Sequence, residues 1–88
     1  MRHEIRYERE ARKALKSIPA KVANRIRGKI RQVASDPEGT TEDVKKLQGR
    51  PGYRLRVGDY RVIYSLDKDG AVRVLVVHTI GHRKEAYR

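Results

Sequence analysis

The residues most suited to chemistry are the arginines between Tyr53 and Tyr64, where the chain reads Tyr-Arg-Leu-Arg-Val-Gly-Asp-Tyr-Arg-Val-Ile-Tyr. Two alternating apolar–polar runs flank Gly58-Asp59, and a two-residue loop with glycine first fits a type II′ hairpin turn. Pairing Val57 with Tyr60 sets Arg56 opposite Arg61 and Leu55 opposite Val62, with Arg54 on the same face as both arginines. Like charges facing each other across two strands destabilise a sheet. A short hairpin that accepts this penalty concentrates positive charge on one face, and that charge calls for an anion. Guanidinium groups offer permanently charged, planar forks of donors that match phosphate oxygens. RNA phosphate is the anion that the rest of the sequence favours.

The charge balance supports a polyanionic partner. Twenty-two Lys and Arg against eleven Asp and Glu leave a formal charge of +11 on 88 residues. Such an excess costs self-repulsion in the compact state and draws nucleic acid, acidic protein segments or anionic surfaces. It is unevenly placed. Ala11 to Ser35 holds no acid, while Arg12, Lys13, Lys16, Lys21, Arg25, Arg27, Lys29 and Arg31 are all basic; the acids collect in 36–43 and around Asp67-Lys68-Asp69-Gly70. No cysteine is present, and His3, His78 and His82 share no short ligand spacing, so no metal or cofactor is expected. Gly49, Gly52 and Gly58 read as turn glycines rather than a phosphate-cradling loop. The longest aliphatic run, Val74 to Val77, is far short of a membrane span. The chain carries charge from Arg2 onward with no stretch resembling a signal peptide, so a cytoplasmic protein without membrane contact is expected.

Positioning the arginines falls to a single small domain over residues 1–88, able to bury roughly 60–65% of its unfolded surface. His3 to Tyr7 predicts a first strand anchored by Ile5. Glu8 to Ile18 predicts a helix with Ala11, Ala14, Leu15 and Ile18 on one side. Pro19 ends it and suits the start of a second helix, Ala20 to Ala34, whose stripe is Val22, Ile26, Ile30 and Val33. Asp36-Pro37 closes that helix, and so short a link predicts an antiparallel helical hairpin. Glu38 to Gly52 reads as a connector rich in turn formers, with Lys45, Lys46 and Arg50 available to touch RNA backbone. The arginine hairpin follows, and Asp67-Lys68-Asp69-Gly70 turns the chain into a last strand near Ala71 to Thr79. Its Val72, Val74 and Val76 set competes with Leu75 and Val77 for the core-facing side. The expected fold is α+β, in the order β-α-α-β-β-β: an antiparallel meander with the helical hairpin packed on one sheet face. Tyr53, Leu55, Val57, Tyr60, Val62 and Tyr64 then meet the helices, and Arg54, Arg56 and Arg61 line the open face. The closing Gly81-His82-Arg83-Lys84-Glu85-Ala86-Tyr87-Arg88 is too polar for a core element. It brings a histidine, an arginine and a tyrosine to the end of the last strand, next to the hairpin.

Three stretches carry a family resemblance: Lys46-Leu47-Gln48-Gly49-Arg50-Pro51-Gly52-Tyr53-Arg54-Leu55-Arg56, Gly58-Asp59-Tyr60-Arg61-Val62-Ile63-Tyr64, and Gly81-His82-Arg83 through Tyr87. In these, and in element order over almost the whole chain, the sequence resembles the RelE branch of the RelE/ParE toxin superfamily. The resemblance implies a type II toxin, an endoribonuclease that cuts messenger RNA in the ribosomal A site. It also implies a co-expressed acidic, RelB-like antitoxin that holds the toxin inactive. The family's basic catalytic residues map by position onto Arg54, Arg56, Arg61 and Arg83, and its C-terminal tyrosine onto Tyr87.

Metal-free cleavage of this kind uses the substrate's own 2′-hydroxyl as nucleophile and leaves a cyclic phosphate and a free 5′-hydroxyl. Charge builds on the non-bridging oxygens, where fixed guanidinium groups act. Arg56 and Arg61 suit the phosphate clamp, Arg83 closes from the tail, and Arg54 orients the neighbouring phosphate. Arginine moves protons poorly because its pKa exceeds ~12. A cluster of positive charge lowers a tyrosine from ~10, which nominates Tyr87, and keeps a histidine neutral, which makes His82 its rival. Some active relatives carry lysine where this chain has Arg54 and Arg56; arginine secures phosphate binding and leaves the proton to another group. The alternatives are a ParE-like toxin that poisons DNA gyrase, or a non-catalytic RNA or protein binder.

Overall fold

Strand β1 (Glu4–Tyr7) leads directly into helices α1 (Arg9–Ser17) and α2 (Ala20–Ser35), and four strands follow: β2 (Val44–Lys46), β3 (Tyr53–Val57), β4 (Tyr60–Asp69) and β5 (Val72–His82). The computed structural model describes residues 3–36 and 43–82. The strands form one mixed sheet in the order β1-β5-β4-β3-β2. β1 lies parallel to β5, and every other neighbouring pair is antiparallel.

The helices form where apolar spacing predicts them. Ala11 and Leu15 of α1 and Ala23, Ile26, Ile30 and Val33 of α2 are buried, with Ala14, Ile18 and Val22 packed at the margin. Pro19 stands just outside α2 as its extended N-terminal flank, and its carbonyl accepts from the N–H groups of Val22 and Ala23 at 2.9 Å. Its ring thus fixes the turn between the helices without breaking a helical hydrogen bond. From the sheet, Leu55, Val57, Val62, Tyr64, Leu75, Val77 and Ile80 join the same core. Each large aliphatic side chain withdrawn from water here contributes on the order of 2 kcal/mol. This core lies on one sheet face, and among the described residues no helix covers the other.

β4 runs on through Asp67–Asp69, expected as a turn, and β5 continues past Thr79 to His82; two further features of the sheet bear on the site. Within the stretch expected to be a plain connector, Val44–Lys46 pairs with β3 as an edge strand. Three residues with a single apolar member show no periodicity to read; backbone pairing rather than patterning makes this strand. The second concerns β5. Leu75 and Val77 face the helices, and the Val72, Val74 and Val76 set lies on the opposite face. The β4–β5 register passes from Ile63↔Thr79 to Tyr64↔Val77, so His78 is the extra residue of a β-bulge. The bulge shifts the alternation by one, which lets Val77 and Ile80 both point inward although they are three residues apart.

Candidate functional site

The hairpin register is the one its sequence demands. Val57 pairs with Tyr60, Arg56 with Arg61, Leu55 with Val62 and Tyr53 with Tyr64. Gly58 adopts φ 59°, which an L side chain reaches only with strain, so glycine at this position lets the turn close in two residues. Leu55, Val57, Val62 and Tyr64 are buried under the helices, and Tyr53 stacks on Tyr64 with ring centroids 5.4 Å apart. The tyrosines therefore serve the core. Burial, with help from Tyr53, pushes the Tyr64 hydroxyl up to about 12. By the same alternation Arg54, Arg56 and Arg61 share the open face.

β2 completes the group. Lys45 stands directly opposite Arg54, so two like-charged cross-strand pairs, Lys45–Arg54 and Arg56–Arg61, lie side by side. Together with Asp43 these four cations line a cavity of about 430 Å³. Asp43 grips Arg56 twice: the Arg56 backbone N–H donates to the Asp43 carbonyl at 2.8 Å, and its guanidinium Nη2 to the Asp43 carboxylate at 3.2 Å. The carboxylate thus occupies the kind of position that a phosphate oxygen would take. Arg61 is held differently. Its Nη1 makes a long bond to the Tyr60 carbonyl at 3.5 Å, and its Nε is buried without a hydrogen-bond partner among the described residues. An unsatisfied buried donor costs roughly 1–3 kcal/mol, so Arg61 is kept at this position against stability.

Of the residues singled out from sequence, Arg54, Arg56 and Arg61 meet in this cavity. Arg83 and Tyr87 lie outside the described residues. His82 does not join the arginines. It pairs with Tyr60 and meets that ring edge-on at 5.5 Å, on the sheet side opposite Arg61. Asp43 was not foreseen; no pattern in 36–43 distinguishes it from the other acids there.

Elsewhere on the open face, charges are matched. Arg6 on β1 reaches Glu4 at 3.4 Å and Asp69 of β4 at 3.1 Å, spanning β5 over Val74. On the bulge, His78 Nδ1 is bonded to the Glu8 carboxylate, and its Nε2 lies 2.7 Å from Ser65 Oγ, which in turn approaches the Asp67 carboxylate at 3.2 Å. Among the described residues no group of three or more His, Asp or Glu side chains is placed to hold a metal ion. No helix among them is long and apolar enough to cross a membrane.

The fold and sequence can be set beside known proteins. The RelE protein in an archaeal RelE–RelB complex from Pyrococcus horikoshii superposes with a TM-score of 0.75 at 29% identity, over 97% of this chain and 99% of that one. A mutant of Escherichia coli toxin RelE in the free state gives 0.74 at 24% identity, over 98% and 87%. A YoeB/ParE toxin from Agrobacterium tumefaciens gives 0.75 at 15% identity, over 90% and 97%. No curated protein sequence matches the chain significantly. The sequence profile of the ParE toxins of type II toxin–antitoxin systems matches residues 5–87. The chain therefore belongs to the RelE/ParE superfamily of type II toxins, on the side of its RelE branch.

Proposed function

We propose that this toxin is a ribosome-dependent messenger RNA endonuclease. The observation that carries the reading is the convergence of Arg54, Arg56 and Arg61 with Lys45 on one cavity, at the expense of two like-charged cross-strand pairs and a buried, unpartnered Arg61 Nε. A fold that holds its donors at such cost is preorganised for an anion.

In this mechanism the 2′-hydroxyl oxygen of the A-site nucleotide attacks the adjacent phosphorus, and the bond from phosphorus to the departing 5′-oxygen breaks. The products are a 2′,3′-cyclic phosphate and a 5′-hydroxyl. Arg61 and Arg56 donate to the non-bridging oxygens as charge builds there; Arg54 and Lys45 hold the neighbouring phosphate, and Arg83 adds charge from the tail. The proton released by the 2′-hydroxyl goes to Tyr87 in its phenolate form, rather than to His82 on the far side of the sheet, and the phenol so formed returns the proton to the leaving 5′-oxygen. No metal takes part. The partners are the ribosome with its message and a cognate acidic antitoxin. The RelE proteins in the related archaeal and bacterial structures are bound to RelB, and a charge of +11 steers an acidic chain toward this one in a cytoplasmic setting.

The match to the ParE profile favours a second reading, inhibition of DNA gyrase. Primer extension on messenger RNA programmed in ribosomes separates the two. Discrete A-site cuts that vanish in Arg61→Ala support the nuclease. Intact message together with inhibited supercoiling in a gyrase assay would assign the protein to the other activity.

A further inference from the structure

Beyond the arginine cavity lies a second, of about 410 Å³, whose walls include Arg25 and Lys29 of α2 as well as Asp43, Arg56, Asp59 and Arg61. The two cavities share Asp43, Arg56 and Arg61. They are one groove, running from the open sheet face past the Gly58-Asp59 turn to the flank of α2. Arg25 and Lys29 are four residues apart and so project from the same side of the helix. Burial of Ile26 and Ile30 beside them fixes how that side is presented. No Asp or Glu occurs in Ala20–Ser35 to offset these cations. Of the two carboxylates in this cavity's lining, Asp43 is engaged with Arg56.

We propose that this groove carries the backbone of single-stranded RNA from the Arg56–Arg61 phosphate position, over the hairpin turn, to Arg25 and Lys29, which hold phosphates flanking the reacting one. The proposal rests on reading the arginine cluster as an RNA site. The lining favours RNA over an acidic protein segment. Among the described residues its one aliphatic side chain is Val57, which is 3% exposed, whereas a docking helix needs apolar anchors. A sugar–phosphate backbone needs only spaced cations. Among the described residues no aromatic ring lines this part of the groove to stack a base, which suits contact independent of sequence.

The test is fluorescence anisotropy of the full chain with a labelled, fully 2′-O-methylated RNA oligonucleotide, which lacks the attacking hydroxyl and reports binding alone. The Arg25→Ala/Lys29→Ala double variant should bind about tenfold more weakly at low salt. Its plot of log affinity against log salt should flatten by about 1.4, for two single-strand phosphates at ~0.7 each. Arg12→Ala/Lys16→Ala on α1 removes the same charge away from the groove and should cost no more than about twofold, with an almost unchanged slope. Equal losses in the two variants would reduce the effect to net charge and overturn the groove. So would an unchanged affinity in the α2 variant with its circular dichroism intact. Binding of a polyglutamate peptide that depends on Arg25 and Lys29 while RNA binding does not would assign the groove to a protein partner. If the wild-type chain cuts no message on ribosomes yet RNA binding keeps its dependence on Arg25 and Lys29, the groove stands and the nuclease reading falls.

Discussion

The open sheet face has two halves built on opposite electrostatic terms. Over β1, the middle of β5 and the far end of β4, Arg6 is shared between Glu4 and Asp69, and Glu8, His78, Ser65 and Asp67 form a continuous chain of contacts. Over β2, β3 and the near end of β4, Lys45, Arg54, Arg56 and Arg61 line one cavity with Asp43. Both halves belong to one sheet, and β4 runs through both. The difference teaches that the +11 charge is not spread as a solubilising coat. Over the first half the described charges pair with one another; around the hairpin turn the described cations outnumber the carboxylates.

Arg61 gives the strongest way to break that contrast. Replacing it with alanine should lower single-turnover cleavage on ribosomes by about 10²–10³, the usual effect of removing one preorganised donor. Arg61→Lys should recover RNA binding but only part of the rate, because a point charge lacks the guanidinium fork. Thermal stability should stay equal or rise in Arg61→Ala, since the substitution removes both a like-charge neighbour of Arg56 and an unpartnered buried donor. A large fall in melting temperature would mean that Arg61 is structural, and the two halves would then be alike.

Asp43 sharpens the comparison from the other side. Its carboxylate already holds the Arg56 guanidinium, so a phosphate proposed for that position would have to compete with it. Asp43→Asn keeps the backbone bond from Arg56 N–H and removes the charge. Affinity for the non-cleavable RNA should rise about threefold to fivefold, the equivalent of a partly exposed ion pair worth up to ~1 kcal/mol. Anisotropy titrations at fixed salt measure it. A weaker complex would show that Asp43 aims Arg56 at the phosphate rather than competing for it.

How much of this was legible in the sequence depended on what fixes each register. The Arg56–Arg61 opposition could be read because Gly58-Asp59 permits a tight turn, and a tight turn determines every pair behind it. The helical stripes were readable because Ile26, Ile30 and Val33 repeat at helical spacing. Lys45 was visible as a charge but not as a neighbour of Arg54, since β2 is set by backbone pairing to β3 and has almost no pattern of its own. The side taken by His82 was hidden by the bulge at His78, because one inserted residue reverses all later alternation along β5. Arg25 and Lys29 were legible as part of the basic stretch but not as neighbours of the hairpin turn. Local geometry was legible, and long-range juxtaposition was not.

Arg6 supplies the converse test to Arg61. Its pairs with Glu4 and Asp69 are exposed and screened by solvent, so Arg6→Ala should lower stability only slightly. Denaturant unfolding measures this, and high salt should shrink the difference between the two chains. Cleavage and RNA affinity should remain within about twofold of the parent. A marked loss of RNA binding in Arg6→Ala would extend the ligand path across the self-neutralised half and erase the division between the two.

The smallest effect comes from the strand that both halves share. Tyr64 is buried on the core side of β4, and its hydroxyl is pushed up to about 12 by burial and by Tyr53. The unfolded chain gives up this proton near ~10. A group whose folded pKa is raised contributes its full stability below the unfolded value and loses it as pH climbs through the folded one. Stability should therefore decline between pH ~10 and about 12, and Tyr64→Phe should flatten that decline without changing behaviour at neutral pH. Guanidinium groups as a class hold their charge through that range. Any loss of RNA binding there should coincide with loss of near-ultraviolet dichroism, because it follows from melting of β4 and not from discharge of the site. Binding lost before unfolding would point instead to a titrating group within the positive half and would place proton chemistry among its cations.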